Sequence, residues 1–157
     1  YAVTALGTLG TAIAPERDYY LYDTFQGLDD RYATKIEKLI SSPAFAVEGL
    51  ETQVRNRFAP WANVHVVAGT VPDVLADTAP DRVAFLHLDM NCSEAEIAAL
   101  EFFYDRIPEG GVILLDDYGR SEFESMFDAY QAWFGARSHR ILELPTGQGL
   151  IVKHTAG

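Results

Sequence analysis

The sequence predicts an α/β fold: a mostly parallel sheet with helices on both faces and an antiparallel hairpin at the C-terminal end. Three observations predict it. Strand-like and helix-like segments alternate along the 157 residues. The two central strand-like runs, residues 83–89 and 112–118, are apolar through most of their length, as strands covered on both faces are. Each run breaks off in carboxylate, one at Asp89 and the other at Asp116 and Asp117.

Residues 1–14 carry Val3, Leu6 and Ile13 among alanines and read as a short helix, which Pro15 closes. Tyr19, Tyr20, Leu21 and Tyr22 form a compact β-prone run ending at Asp23, and an acidic turn occupies residues 24–30. Residues 31–58 read as helical with a break near Ser41, Ser42 and Pro43, the second piece covering 48–58. A strand over 64–68 ends at Gly69, and 72–76 reads as a helical turn. Ser93 and Glu96 have capping-box spacing, opening a helix with Ile97, Leu100, Tyr104 and Ile107 on one face. Residues 108–111 turn into the strand at Val112. Ser121 and Glu124 read as a second capping box. Phe123, Phe127, Tyr130 and Phe134 then recur at helical spacing, a stripe that reads as core. Residues 140–144 and 150–154 flank a Pro/Gly turn and read as the terminal hairpin.

Composition narrows the function. Twelve Lys and Arg against 23 Asp and Glu give a net charge of −11, which argues against nucleic acid, whose phosphates call for a basic surface. Cys92 is the sole cysteine, so no intrachain disulfide forms and a reducing, cytoplasmic setting is expected. Cys92 itself reads as a small residue near a strand end. No apolar run reaches membrane-span length.

Right-handed crossovers bring the C-terminal ends of parallel strands to one rim, where ligands of such sheets bind. That rim would gather Asp23, Gly69 with Thr70, Asp89, and Asp116 with Asp117. Converging carboxylates repel unless a proton or cation intervenes. Oxygen donors suit Mg²⁺, Ca²⁺ or Mn²⁺, and Asn91 could add an amide oxygen. Asp23 fits a ribose-binding acid, and Gly69 allows a flat ring to approach the backbone. His65 and His139 read as surface or strand residues, and His87 as a hydrogen-bonded core histidine.

Three segments in order carry a resemblance: Tyr22-Asp23-Thr24-Phe25-Gln26-Gly27-Leu28; His87-Leu88-Asp89; and Gly110 to Gly119, which contains Asp116-Asp117-Tyr118. Together they resemble the macrocin O-methyltransferase family, class I S-adenosylmethionine-dependent enzymes that methylate sugar hydroxyls of macrolide and aminocoumarin antibiotics. The resemblance runs from about Tyr19 to the C-terminus. It implies a Rossmann-like fold, a small-molecule acceptor, and dimers or larger homo-oligomers. It implies that Asp23 and Thr24 hold the S-adenosylmethionine ribose and that Gly69 and Thr70 border its adenine. Asp89, Asp116 and Asp117 would ligate Mg²⁺, which would lower the pKa of the attacking hydroxyl.

The sequence departs from that family in two places. The family commonly has a second acid two residues after the His-Leu-Asp aspartate, resembling a general base. Asn91 stands there, and an amide accepts no proton at neutral pH. Asn91 is thus the catalytic position in question, with water, Asp89 or a different acceptor atom as the ways out. Second, the fold's first strand and glycine loop normally precede the first helix, and no strand precedes Gly7 or Gly10. Residues 1–157 therefore read as a single, N-terminally incomplete domain, with a gap at the middle of its sheet and weakened cofactor affinity. Three rival readings are a Mg²⁺-dependent haloacid-dehalogenase-like phosphatase, a degenerate Rossmann-like binding domain without catalysis, and an NAD dehydrogenase.

Overall fold

The computed structural model describes residues 12, 14–41 and 48–154. The helix expected over residues 1–14 and the break at Ser42 and Pro43 lie outside the described residues, Ala12 and Ala14 apart. The described elements run β1 (Tyr19–Asp23), α1 (Lys35–Ile40), α2 (Leu50–Phe58), β2 (Val64–Ala68), α3 (Leu75–Thr78), β3 (Phe85–Leu88), α4 (Ser93–Phe103), β4 (Val112–Leu115), α5 (Glu124–Gly135), β5 (Leu142–Glu143) and β6 (Gly149–Val152). Single 3₁₀ turns extend α4 (Tyr104–Arg106) and precede α5 (Ser121–Phe123). The α/β class is as the sequence predicts. Among the described residues, no helix is long and apolar enough to cross a membrane.

The strands form two sheets. β1 and β2 pair in parallel, and β3-β4-β6-β5 form a second sheet in that order. β3 and β4 are parallel, whereas β6 runs antiparallel to both β4 and β5. The terminal hairpin is therefore present, with β6 inserted next to β4. Central β4 is the most thoroughly covered strand, with Ile113 and Leu115 fully buried. They belong to the larger core with Leu86, Leu88, Leu100, Phe103, Met126, Tyr130 and Phe134. A smaller core of Leu21, Phe25, Val54 and Phe58 seats α2 on β1 and β2. Tyr22 links the two sheets, packing on the larger core and facing the Phe103 ring.

Both expected capping boxes are replaced by other solutions. Cys92 occupies the N-cap of α4 without a side-chain cap bond, and Ser93 is the first helical residue. The Glu96 side chain reaches past the helix end to accept from the Met90 N–H at 2.8 Å. At α5, the 3₁₀ turn places Ser121 a turn too early to cap. The box that does form opens α1, where Thr34 and Glu37 satisfy each other's backbone N–H groups. α4 buries Ala95, Glu96, Ala99, Leu100 and Phe103; of the expected face, Leu100 and Ile107 lie in the core and Ile97 and Tyr104 pack against it. The aromatic stripe of α5 is core as expected, with Tyr130 and Phe134 fully buried.

Candidate functional site

The β3–β4 ladder builds the site. Leu88 lies opposite Leu115, and the Asp116 N–H continues the pairing to the Leu88 carbonyl at 2.9 Å. Asp89 and Asp116, one residue beyond those partners, therefore leave adjacent strands side by side. His87 precedes Asp89 by two residues, so the pleat turns both to one face. The structure brings together donor atoms of His87, Asp89 and Asp116, all within 4.8 Å of one another.

The hairpin adds a group that the sequence did not single out. Leu115 pairs with Gly149 across β4 and β6, so Gln148 falls beside Asp116 and its Nε2 donates to Asp116 Oδ1 at 2.6 Å. A side chain at Gly149 would run into the Tyr118 ring, which keeps the two strands close at that end.

Asp117 is placed differently from its neighbour. It is only 3% exposed; Asn91 Nδ2 donates to its Oδ2, and Arg120 Nη1 stands 3.5 Å from its Oδ1. The His87–Asp89–Asp116 group does not include it. Asn91 adopts a left-handed backbone (φ 52°), which asparagine tolerates better than most residues. Buried Glu96 holds that loop by accepting from the Met90 N–H. Glu37 Oε1 accepts from the Ser93 N–H at 2.7 Å, tying α1 to the start of α4.

Electrostatics at this rim are strained. Burial, then the charges of Asp116 and Asp117, push Asp89 up to about 7, and Asp23 adds to the effect. Burial also raises Asp117, despite the opposing pull of Arg120 and Asn91. Glu96 is driven up to about 8, mainly by burial. His87 goes the other way, because burial disfavours its cation more than Asp116 favours it. Its Nε2 is buried without a hydrogen-bond partner and lies 3.6 Å from Asp116 Oδ1. The hydrogen-bonded core histidine expected at this position is thus a neutral imidazole aimed at the acids. His139 also differs from expectation: it is buried and bonded to the Tyr104 hydroxyl. Burial raises the Cys92 thiol, which keeps it protonated and unreactive.

The β1–β2 rim lies beside this one. Asp23 is paired with Ala68, and the Gly69 N–H donates to the Asp23 carbonyl at 3.0 Å. Asp23 Oδ1 accepts from the Phe25 N–H at 2.7 Å, and Thr24 Oγ1 donates to the Gly27 carbonyl at 2.6 Å. These bonds shape the turn after β1. Gly69 has φ 149°, and a Cβ there would collide with Val74 Cγ1, so glycine is required. The Thr70 hydroxyl is committed to Asp29 at 2.8 Å. Asp29 and Asp73 both pair with Arg31, locking the acidic turn onto the β2–α3 loop; hydrogen bonds from Arg31 and Thr70 hold Asp29 well below the usual carboxylate range. An open cleft between Phe25, Gln26 and the start of α2 includes none of the rim acids.

Residues 2–139 match the family described as Macrocin-O-methyltransferase (TylF). An 8-demethyl-8-(2,3-dimethoxy-alpha-L-rhamnosyl)-tetracenomycin-C 4′-O-methyltransferase of Streptomyces olivaceus is 26% identical over 148 residues. That match takes in 89% of this chain and 56% of the relative, so the chain spans little more than half of the relative's length. Among solved structures, the O-methyltransferase NovP superposes with a TM-score of 0.73 at 21% identity, covering 98% of this chain and 66% of that one. The calicheamicin methyltransferase CalS11 gives 0.76 at 17% identity, covering 96% and 66%. At such identities the likeness to these two structures is one of fold.

Proposed function

The chain belongs to the macrocin O-methyltransferase family, and from that premise we propose that it carries out S-adenosylmethionine-dependent, cation-assisted methylation of a hydroxyl on a small molecule, a sugar or sugar-bearing natural product. The observation that carries this reading is the ladder register that sets Asp89 and Asp116 side by side, with a buried, unpartnered imidazole nitrogen beside them.

The residues present fit a divalent cation. Burial, then the charges of Asp116 and Asp117, raise Asp89 to about 7, and bound positive charge relieves the part that is repulsion. Asp89 and Asp116 would hold the ion, with the charge of Asp117 behind them. A cation there supplies the field that favours the anionic form of an acceptor hydroxyl. S-adenosylmethionine supplies the methyl group. Asp23, in the turn it shares with Thr24, would accept hydrogen bonds from the ribose hydroxyls. The bare backbone of Gly69, beside Thr70, would border the adenine. Gln148 and Glu96 hold the acids and the Asn91 loop in place before any ligand arrives, which lowers the cost of ordering them later. Asn91 donates its amide to Asp117 and accepts no proton, leaving the rim carboxylates as proton acceptors. Residues 1–157 would form one domain of a cytoplasmic enzyme that assembles as a homo-oligomer.

Titration calorimetry with S-adenosylhomocysteine tests the cofactor, with binding expected that Asp23→Asn weakens. Methyl transfer from labelled S-adenosylmethionine to rhamnosyl acceptors, sensitive to EDTA, tests the reaction. Absence of both would overturn the reading. Asn91 favours one alternative, a binding domain without catalysis, which any methyl transfer would exclude. The phosphatase and dehydrogenase readings are not retained, because the family matched is one of methyltransferases.

A further inference from the structure

We propose that His139 and His154 form an acid-sensitive latch, which fastens the end of β6 to the body of the protein while the two rings share at most one added proton and releases it when both are charged. The latch lies apart from the acidic rim. Val152 pairs with Val112 at the start of β4, and His154 follows two residues later, whereas Asp116 leaves the far end of that strand.

Three elements meet at His139. It follows α5, where its backbone N–H donates to the Phe134 carbonyl at 3.1 Å. From the turn that extends α4, the Tyr104 hydroxyl is hydrogen-bonded to its Nε2. From the end of β6, His154 Nε2 stands 3.3 Å from its Nδ1, with the rings edge to face at 4.5 Å. His139 is buried and His154 exposed. Both nitrogens of the buried ring are thus spent on side chains from distant parts of the sequence, and one of the two ties is to another imidazole.

Such a tie has a proton limit, because one nitrogen must donate and the other accept. Two neutral rings meet that condition. So does the pair with one added proton, when His139 donates from Nδ1 to His154 and from Nε2 to the Tyr104 oxygen. A second proton sets N–H against N–H and cation against cation, and the contact opens. Interacting groups take up protons as a pair and not as separate rings.

The surroundings tighten the limit. From β6, the Lys153 ammonium lies 4.1 Å from the centre of the Tyr104 ring and donates to the Tyr104 and Ile107 carbonyls at 2.7 and 2.8 Å. From the end of α5, Arg137 stacks on Trp133 at 3.6 Å and reaches the Tyr104 ring at 5.6 Å; Glu101 on α4 pairs with it at 3.3 Å. Asp105 acts on Tyr104 from the same turn, and Glu109 stands on the turn before β4, beside Gly110. Burial, then the positive charges of His154, Lys153 and Arg137, hold His139 below its ordinary value of 6.5. The closed latch is therefore favoured above that value and loses ground as pH falls below it. Lys153 registers the opening. Its N–H donates to the Gly111 carbonyl and its carbonyl accepts from the Gly110 N–H, both at 2.8 Å, so the end of β6 is tied to the turn before β4 through this residue.

The test is native-state hydrogen exchange by NMR on the 157-residue chain without added metal, at about pH 7.5 and pH 5, with each rate corrected for the intrinsic pH dependence of exchange. Protection of the Lys153 and Gly110 amides should fall by about 10-fold at the lower pH, equivalent to about 1.4 kcal/mol, while that of Ile113 and Ile151 does not fall. His154→Gln, at the exposed end, should remove the change, because its amide can accept from a charged His139 as well as donate to a neutral one. His139→Gln should remove it too, with circular dichroism as a check on folding. Long-range ¹H–¹⁵N spectra of the imidazoles should show His139 taking up its proton at higher pH in His154→Gln, since one facing charge has gone. Equal protection of Lys153 at the two pH values in the native chain overturns the latch, as does a fall that persists in His154→Gln. A fall shared by Ile113 and Ile151 overturns it as well, since the whole sheet would then be opening.

Discussion

Glu96 is a carboxylic acid enclosed by the protein, only 1% exposed, and it holds the loop that carries Asn91. Burial raises its folded pKa from 4.5 to about 8. The folded chain therefore keeps this proton at pH values where the unfolded chain has lost it. Stability from this group is fully present below about pH 4.5 and declines as pH rises toward 8. Asp89, raised to about 7, acts in the same direction in the cation-free protein. Glu96→Gln preserves an acceptor oxygen for the Met90 N–H and cannot ionise. Thermal melting of the cation-free protein should fall by a few kcal/mol equivalents between pH 5 and pH 9, with about half of the drop removed by Glu96→Gln. A native melting curve flat across that range would show that neither acid holds its proton. Some of this site was legible as sequence. The abrupt ends of two apolar runs located Asp89 and Asp116, because parallel pairing fixes where such ends meet. Glu96 spacing suggested a capping box, but local spacing says nothing about whether a carboxylate turns toward its own helix or the preceding loop. Gln148 was missed because it reaches Asp116 through a cross-strand register that nearby residues do not report; His87 was read only as a core histidine, although its two-residue spacing from Asp89 puts both on one pleat face.

Elements at the site are fastened by a few polar ties whose loss should be measurable. Glu37 accepts from Thr34 N, Thr34 Oγ1 and Ser93 N, at 2.7, 2.8 and 2.7 Å. One carboxylate thus caps α1 and docks it on the start of α4. Glu37→Ala should destabilise the chain by about 2–3 kcal/mol in urea unfolding, since three part-buried hydrogen bonds to one buried carboxylate are lost together. Thr34→Ala should cost about 1 kcal/mol, and the double variant should cost less than the sum because the two share bonds. Gly69 is constrained by packing as well as by backbone. Gly69→Ala would place a methyl group against Val74 in a left-handed backbone, at a cost of about 1–3 kcal/mol. Val74→Ala in the same chain should recover the steric part and leave the backbone part. Full recovery would mean that the φ of 149° carries no strain. These elements were legible in type, since hydrophobic period and strand-ending glycine mark them. The cap at Thr34 was not, because the box at Ser93 has equally good local spacing and only the tertiary position of Glu37 decides between them.

At the scale of the whole molecule, the described residues form two unequal sheets. β4 has strand partners on both sides and fully buried side chains at Ile113 and Leu115. β1 and β2 pair only with each other among the described strands, over a core of four buried side chains. A two-stranded sheet is marginal alone, so this pair depends on α2, on Tyr22 and on the Asp29–Arg31–Asp73 lock for its hold on the rest. The expectation of a gap in the sheet came from a family resemblance, since no residue pattern within the chain reports what lies beside an edge strand. The two-sheet arrangement predicts unequal opening. In native-state hydrogen exchange, amides of Leu21 and Val66 should exchange at lower free energies than those of Ile113 and Leu115, because local opening exposes the smaller core first. Arg31→Ala removes the ion pairs to Asp29 and Asp73 together and should widen that difference, while leaving β4 amides unchanged. S-adenosylhomocysteine, if held by Asp23 and bordered by Gly69, should narrow it by binding the state in which the β1–β2 rim is formed. Equal protection across both sheets would instead mean that they unfold as one unit, with the small core borrowing its stability from the large one.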